Sequence, residues 1–420
     1  MRRFLLAALA ALLLAPTAAA APPDADVRFA TFNASLNRNA AGQFLSDIAT
    51  PNNIQARNAA ETIQRVRPDV LLINEFDFDP GGVALQRFQD NYLSIGQNGA
   101  QPIFYPHRFA AESNTGIPTG LDVDNSGTIG GGNDAFGFGA FPGQFGMAVY
   151  SKYPIDPTGI RTFQKFLWKD MPGALLPDNP ATPAPADWYS PAVRSIFRLS
   201  SKSHWDLPLL VGGKVVHFLT SHPTPPVFDD PPFYPAGVDF NGRRNFDEIR
   251  FWADYISPGK SGYIYDDAGN TGGLKPGSLF VIAGDQNSDP LDGDSIPGAI
   301  QQLIEHPLVN TKVTPESAGA VEQDKLQGGL NLTHRSDPRF DTADFGFSDP
   351  FASPPVPDTA PGNLRADYVL PRKNMQIVDA GVYWPVSTNE FFRLVGARPA
   401  PFPTSDHRLV WVDTTVPSVK

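Results

Sequence analysis

A carboxylate and an amide stand two residues apart at the end of an apolar run near the middle of the chain. The run 278–283 leads through a glycine to Asp285, Gln286 and Asn287. Successive side chains of a strand point to opposite faces, so Asp285 and Asn287 would project together while Gln286 points away. Two such groups at the end of a buried strand are typical of a functional site. They are also compatible with a turn, where Asp and Asn are common.

Similar side chains recur where other predicted strands end. They are acids, amides and histidines: Asn33, Glu75, His222, Asp285, Asn287, Asp367, Asp406 and His407. Oxygen ligands such as Glu75, Asp406 and Asn33 suit Mg²⁺, Mn²⁺ or Ca²⁺, and the lack of cysteine argues against a thiolate zinc site. Histidines beside carboxylates suit general acid or electrostatic roles. Each residue alone would be read as structural, but their recurrence at strand ends indicates one site.

The elements that must position these residues alternate between strands and helices. Strand patterns occupy 27–33, 70–75, 146–151, 278–283, 365–370 and 408–412, and 195–199 with 214–221 is a candidate hairpin. Helix patterns begin after residue 53, with Ile54, Ala59, Ile63 and Val66 on one stripe, and cover 246–256 and 296–305. The opening strand–helix–strand order is typical of an α/β layer.

The ordered motifs together carry a family resemblance. They are Thr-Phe-Asn33, Asn-Glu75, Gly-Met-Ala-Val-Tyr-Ser-Lys-Tyr-Pro-Ile over 146–155, Thr-Ser-His222, Gly-Asp285-Gln-Asn287, Asp367-Tyr and Ser-Asp406-His407. This order resembles the endonuclease/exonuclease/phosphatase superfamily, which includes deoxyribonuclease I-like enzymes, abasic-site endonucleases, inositol polyphosphate phosphatases and bacterial sphingomyelinases. The resemblance implies an α/β fold, a four-layer α/β/β/α sandwich of two packed mixed sheets flanked by helices, with the site at one rim. It also implies a metal-dependent phosphoric ester hydrolase.

The resemblance assigns the metal and the attacking water to particular residues. Glu75 would be the primary ligand of Mg²⁺, or of Mn²⁺ in its place, and Asn33 and Asp406 would help to hold the ion or its waters. Asp285 would orient or deprotonate the attacking water, and Asn287 would hold a phosphate oxygen.

It also implies roles for two histidines. His407 would lie against the scissile phosphate, polarised by Asp367, which would fix its ring and raise its pKa. His222 would be a second phosphate-facing or leaving-group histidine. The usual Thr-His pair reads Ser-His222 here and is followed by Pro223, which leaves the role of His222 less defined than that of His407.

The N-terminus predicts export. Two arginines precede an apolar stretch over 4–15 and a small-residue tract over 17–21, the pattern of a cleaved signal peptide spanning residues 1–21. The apolar stretch is short for a bilayer span, so we expect a secreted or periplasmic protein without a stable membrane anchor, and a monomer. We expect one domain over 22–420, with insertions near 107–145, 165–192 and 310–362. The polar, proline-rich composition of 310–362 predicts a loop.

Composition favours one class of substrate but does not identify the substrate. The formal net charge is −11 and no basic run exceeds two residues, which argues against tight binding of a long polyanion. A bound cation can nevertheless supply local positive charge. Small phosphate esters are therefore favoured, with an extracellular DNase-type endonuclease as the alternative. A phospholipid phosphodiesterase and a catalytically inactive binding module are further alternatives.

The first insertion contains a motif that resembles the start of a calcium loop. Asp122, Asp124 and Ser126 offer oxygen atoms at alternate positions before a glycine, while the twelfth position is Asn133 rather than Glu. The same pattern occurs in solvated turns, so structural Ca²⁺ and a plain turn both remain open.

Four phenylalanines follow that loop among glycines: Phe136, Phe138, Phe141 and Phe145. They could form an aromatic lip for a base or a lipid. The favoured interpretation is that their rings pin a glycine-rich loop to the body of the protein.

Overall fold

The computed structural model describes residues 25–229, 231, 234–346, 361–397 and 401–417. The predicted signal peptide over 1–21 lies outside the described residues, as does part of the predicted 310–362 insertion. Among the described residues, no helix has both the length and the apolar character needed to cross a bilayer.

Thirteen strands of the described chain are labelled in chain order. They are β1 (Ala25–Asn33), β2 (Val70–Asn74), β3 (His107–Phe109), β4 (Met147–Ser151), β5 (Arg161–Thr162), β6 (His204–Val211), β7 (Lys214–Ser221), β8 (Leu279–Asp285), β9 (Ala343–Asp344), β10 (Asn363–Leu364), β11 (Asp367–Pro371), β12 (Gln376–Val382) and β13 (Val410–Val416). One sheet has the order β12-β13-β1-β2-β4-β3, and a second has the order β11-β8-β7-β6-β5. Both are mixed: β1 pairs in parallel with β2 and β7 with β8, while their other neighbours are antiparallel.

The helices flank these sheets. The α-helices are α1 (Gln43–Asp47), α2 (Ile54–Val66), α3 (Val83–Phe88), α4 (Pro191–Ile196), α5 (Phe240–Ile256), α6 (Gln301–Ile304), α7 (Ala318–Gln327) and α8 (Phe392–Val395). Short 3₁₀ helices occupy Gly132–Asp134, Trp168–Asp170, Ser261–Tyr263, Gly329–Thr333 and Pro338–Phe340, and a π-helical turn covers Gln89–Leu93.

Alternating side chains of each strand divide the core into layers. On β1, Phe29 joins the cluster between the two sheets, which includes Phe218 of β7, whereas Ala30 joins the cluster that α2 covers through Ile63. On the outer face of the second sheet, Trp252 of α5 packs in a third cluster. Because successive side chains point to opposite faces, these strands bury both of their faces. The predicted four-layer sandwich of two mixed sheets flanked by helices is confirmed.

The prediction that Ile54 lies on the buried stripe of α2 is wrong. Asn53 caps α2 by accepting a hydrogen bond from the Ala56 backbone, and Ala59 and Ile63 are buried as expected. Ile54, however, is 74% exposed. It lies five positions before Ala59, and at about 100° of rotation per position this places it roughly 140° away from the buried stripe.

The predicted hairpin between 195–199 and 214–221 is also wrong. Residues 191–196 form α4, which Ser190 caps and Pro191 begins. The partner of β7 is β6, whose last residue Val211 pairs with Lys214. Gly212 and Gly213, with φ of 55° and 79°, make the two-residue turn that matches the twist of a hairpin.

Two of the predicted insertions contain regular secondary structure. The 107–145 insertion includes β3, which pairs with β4 as the edge of the first sheet. The 310–362 segment is not all loop: it contains α7, capped by Ser317, and β9. The polar composition of this segment does not indicate a helix, because α7 buries only a few small and polar side chains.

Candidate active site

The two sheets bring their polar strand ends to one edge. Asn33, the last residue of β1, pairs with Asn74 of β2. Asp285, the last residue of β8, pairs with Asp367, the first of β11. The Asn33 amide donates a hydrogen bond to Asp285 Oδ2 at 3.1 Å, so the site forms where the two sheets meet.

Asp285 is the centre of this group. It is 1% exposed, and besides Asn33 its Oδ2 lies 3.4 Å from His222 Nε2 and 3.6 Å from His407 Nε2. Burial alone would raise the pKa of Asp285, but the His407 charge and the His222 hydrogen bond outweigh burial and hold it well below its usual range. Asp285 is therefore a carboxylate at neutral pH, which can accept a hydrogen bond from a water.

His407 is held by Asp367 as predicted. Its Nδ1 lies 2.8 Å from Asp367 Oδ2, and both residues are buried. Burial lowers the pKa of His407, but the charges of Asp367 and Asp285 raise it well above its usual value. The ring therefore carries a proton on the nitrogen that faces Asp285.

His222 approaches the same oxygen of Asp285 and differs from His407 in charge. Burial, followed by the charge of Lys202, lowers its pKa to about 4. Its Nδ1 is buried and has no hydrogen-bond partner among the described residues. A neutral His222 is better suited to orienting Asp285 than to supplying positive charge, and its phosphate-facing role stays a prediction.

Asn287 leaves the strand in a left-handed conformation. Its φ is 50°, its backbone N–H donates to Asp285 Oδ1 at 2.9 Å, and its side-chain amide donates to the Pro223 carbonyl at 3.1 Å. Gln286 points away and donates to Ser221 Oγ. The sequence therefore placed Asn287 correctly beside Asp285, although a turn and not the strand pleat positions it.

Glu75 forms the oxygen-rich part of the site. It follows β2 with φ of 59°, and its two carboxylate oxygens accept hydrogen bonds from the Asn33 amide at 3.1 Å and the Asn37 amide at 2.7 Å. Burial, followed by the charge of Asp406, raises the pKa of Glu75. Among the described residues no lysine or arginine lies within 4 Å of this carboxylate.

These observations fit a hard divalent cation. The negative charges of Asp406 and Asp285 act on Glu75 and are only partly offset by His407, and a cation would relieve that repulsion. The carboxylate and imidazole atoms of Asp285, Asp367 and His407 also lie within 4.8 Å of one another. Because Asp367 and His407 are bonded to each other, that group is suited to proton handling and leaves Glu75, Asn33 and Asp406 as the expected ligands.

Sequence reasoning missed the residue that ties the two sheets together. Asn74 is fully buried and accepts hydrogen bonds from Thr31 Oγ1 and from the Asp285 backbone N–H, while its amide donates to the Ser221 carbonyl. Its only signal was its position directly before Glu75. Lys202 and Thr342 were also missed, the first in a Ser-Lys-Ser segment and the second in a segment that was read as loop.

The predicted calcium loop is held by hydrogen bonds from its own backbone. Carboxylate oxygens of Asp122, Asp124 and Asp134 lie within 4.8 Å of one another. The Ser126 backbone N–H donates to Asp122 and to Asp124, and Val123 and Gly130 donate to Asp134. Backbone N–H groups thus donate hydrogen bonds to all three carboxylates. Calcium binding by Asp122, Asp124 and Ser126 stays a prediction.

The phenylalanines behave differently from one another. Phe136 is buried under the Arg198 guanidinium, 4.1 Å from its ring centre, as a pinning role requires. Phe138 is 65% exposed and stacks on Phe145 at 6.5 Å.

Fold and site together define a class: an α/β/β/α sandwich whose acids, amides and histidines gather at one rim, where the sheets meet. The sequence model of the Endonuclease/Exonuclease/phosphatase family matches residues 30–407. The chain belongs to this family, whose members are metal-dependent phosphoester hydrolases, and it is an enzyme of that class.

Two solved structures with the same family description and one sphingomyelinase are similar at low identity. The endonuclease/exonuclease/phosphatase from Beutenbergia cavernae is 15% identical with a TM-score of 0.46, covering 93% of this chain and 72% of its own. A family protein from Leptotrichia buccalis is 14% identical with a TM-score of 0.43 and coverages of 92% and 99%. Sphingomyelinase C from Streptomyces griseocarneus is 16% identical with a TM-score of 0.39 and coverages of 93% and 99%. No inference about function rests on similarities of this size. No curated protein matches the chain.

Proposed function

We propose that the protein is a secreted, divalent-metal-dependent phosphoesterase that hydrolyses small phosphate esters by in-line attack of a water positioned by Asp285. The observation that carries the proposal is the placement of Asp285 Oδ2 between the Asn33 amide, His222 Nε2 and His407 Nε2. A carboxylate fixed by three nitrogen groups can present its remaining lone pairs to one water in one direction.

The remaining residues complete the chemistry. Asn287 is partly exposed beside Asp285 and would donate to a phosphate oxygen. His407, protonated and held by Asp367, would donate to the phosphate as charge develops on it. Mg²⁺ held by Glu75, Asn33 and Asp406 would neutralise charge on the phosphate and on the leaving oxygen.

Charge favours small substrates over nucleic acid. With a net charge of −11 and no long basic run, the site would attract a compact ester through the metal and a few polar groups. A DNase-type activity is the second candidate, because a bound cation can carry phosphate contacts. The exposed Phe138 is what favours a phospholipid substrate, and the intact set of acids and histidines weighs against an inactive binding module.

The test is a substrate panel with purified protein. Plasmid DNA, bis- and mono-p-nitrophenyl phosphate, inositol phosphates and sphingomyelin are assayed with Mg²⁺ and with EDTA. We expect Mg²⁺-dependent turnover of the small esters. Cleavage of DNA with no small-ester activity would overturn the substrate assignment, and no turnover of any ester would overturn the function.

Export is proposed on the N-terminal pattern alone. Expression in a bacterium with a signal peptidase should yield periplasmic or medium-borne protein whose mass corresponds to cleavage after residue 21. Retention of the full-length chain in the cytoplasm would contradict it.

A further inference from the structure

Lys202 is a buried lysine beside the site that no step described so far uses. Its residue is 7% exposed and lies two positions before β6, whose first residue His204 pairs with Ser221, the neighbour of His222. Burial of a long cationic side chain is unusual, since lysine normally keeps its ammonium in water.

The backbone around Lys202 is fixed from several sides. Its carbonyl accepts from the Asn114 N–H at 2.8 Å, and the Ser201 N–H donates to Glu248 Oε1 at 2.5 Å. Gly137 packs so closely that a Cβ there would lie 1.8 Å from the Ser201 carbonyl oxygen. The first insertion and α5 therefore hold this segment in place, and the start of the Lys202 side chain with it.

The ammonium itself has no partner. Within the described part of the chain, Lys202 Nζ donates no hydrogen bond and no carboxylate lies within 4 Å of it. Glu248 is the strongest acidic influence on it, but both Glu248 oxygens already accept backbone N–H groups, from Ser201 and Thr224. Lys202 Nζ keeps some contact with solvent, so a largely buried lysine side chain ends in an ammonium that is open to an anion.

The charge of Lys202 acts inside the active site. Burial lowers the pKa of Lys202, while the carboxylates of Glu248, Glu75 and Asp285 act in the opposite direction and favour its charged form. Its own charge in turn disfavours protonation of His222. The hydroxyl of the preceding residue, Ser201, donates to the His222 carbonyl at 3.4 Å, so the Lys202 segment lies directly against the strand end that carries His222.

We propose that Lys202 binds a non-bridging oxygen of the substrate phosphate, a contact that rests on the proposed phosphoesterase function. An ammonium is a compact point charge with three donors and makes no demand on the shape of the ester group. It would supply the positive charge that a neutral His222 does not. The chemical class of the ligand is a phosphoryl dianion or diester, with inorganic phosphate as its simplest form.

The test compares Lys202→Met and Lys202→Arg with Lys214→Met, which alters a lysine at the far end of the β6–β7 hairpin. For Lys202→Met we expect kcat/KM to fall by about 10²–10³-fold and the inhibition constant of inorganic phosphate to rise at least about tenfold. Lys202→Arg should recover part of both, and Lys214→Met should stay within about twofold of the wild type. Phosphate inhibition within twofold of the wild type in a folded Lys202→Met protein would overturn the proposal.

Aminoethylation separates lost charge from lost structure. The natural chain has no cysteine, so 2-bromoethylamine acting on Lys202→Cys forms one thioether and restores an ammonium at that position alone. Recovery of activity after treatment, with no change in the treated wild-type protein, supports the phosphate contact. Complete alkylation without recovery would count against it.

A binding measurement distinguishes this proposal from the proposed function. Thermal unfolding with Mg²⁺ and inorganic phosphate does not depend on turnover. If no ester is hydrolysed, the phosphoesterase proposal fails, yet phosphate should still raise the Tm of the wild type and not of Lys202→Met. Equal protection of both proteins, or of neither, would overturn the role of Lys202.

Discussion

Thr342 donates a hydrogen bond from Oγ1 to Asp367 Oδ2 at 2.8 Å, the same carboxylate oxygen that faces His407 Nδ1. Thr342 Oγ1 also accepts from the backbone N–H groups of Ala366 and Asp367. The next residue, Ala343, bridges to His407, and Phe345 lies edge-on to its ring at 5.1 Å. Thr342 is thus a positioning residue that acts on His407 through Asp367.

Thr342→Val should lower kcat by about 10-fold with little change in KM, because Asp367 loses one of the two groups that fix its position. Thr342→Ser keeps the hydroxyl and should restore most of the rate, which separates the hydrogen bond from packing. The measurement is steady-state kinetics on the best small ester. Equal rates for the Val and Ser variants would show that the hydroxyl does not matter.

Asp285→Ala and His407→Ala should each lose about 10²–10⁴-fold in turnover while the proteins remain folded. Asp285 is the one acid of the described residues that lies within 4 Å of both His222 and His407, and the carboxylates of Asp367 and Asp285 keep His407 charged. Circular dichroism checks the fold and steady-state assays check the rate. Near-normal turnover in both variants would remove these residues from the mechanism.

Glu75→Gln should raise the Mg²⁺ concentration for half-maximal activity at least about tenfold, because the ion loses its expected primary ligand. Without metal the same variant should be as stable as the wild type or more so, since it removes one of the carboxylates that crowd with Asp406 and Asp285. Urea unfolding in EDTA tests the second part. A large loss of stability in EDTA would mean that Glu75 has a structural role instead.

Chelation tests the Asp122 loop separately from the active site. If the loop binds Ca²⁺, then EGTA in the presence of excess Mg²⁺ should lower the Tm of the wild type, because an ion that binds only the folded state stabilises it. Asp124→Ala should have the lower Tm from the start and show no further loss. An unchanged wild-type Tm would assign the loop to a plain turn, consistent with its backbone hydrogen bonds.

The site residues at strand ends could be predicted from the sequence, whereas the residues that reach the site from loops could not. Asp285 and His407 could be predicted because each adjoins an apolar strand pattern and appears in the expected order. Lys202 could not, because a lysine between two serines is typical of a solvent-exposed loop, and its burial depends on packing of the first insertion. Thr342 depends on a tertiary contact to a residue 25 positions away, within a segment whose polarity predicted a loop. Strand periodicity is local, whereas these contacts arise only after the layers pack.

Asp341→Asn should stabilise the protein at alkaline pH. Asp341 is 1% exposed, and its Oδ1 has no hydrogen-bond donor among the described residues. Burial, followed by the negative charges of Asp289, Asp324 and Asp292, raises the pKa of Asp341 to about 9. The folded protein therefore holds a proton that the unfolded chain releases near its ordinary pKa of 3.8, so stability falls as pH rises from about 4 towards about 9.

An asparagine at this position cannot ionise, so the variant should not lose stability in this way as the pH rises. In EDTA we expect the Asp341→Asn variant and the wild type to have equal free energies of unfolding near pH 4. The variant should be more stable by about 1–3 kcal/mol at pH 8, the usual cost of a buried polar group without a partner. Asp379→Asn, at an exposed position on β12, should show no such pH-dependent gain. A wild type more stable than the Asp341→Asn variant at pH 8 would mean that a donor or a cation stabilises the Asp341 carboxylate, because only a favourable partner can reverse the sign of the burial effect.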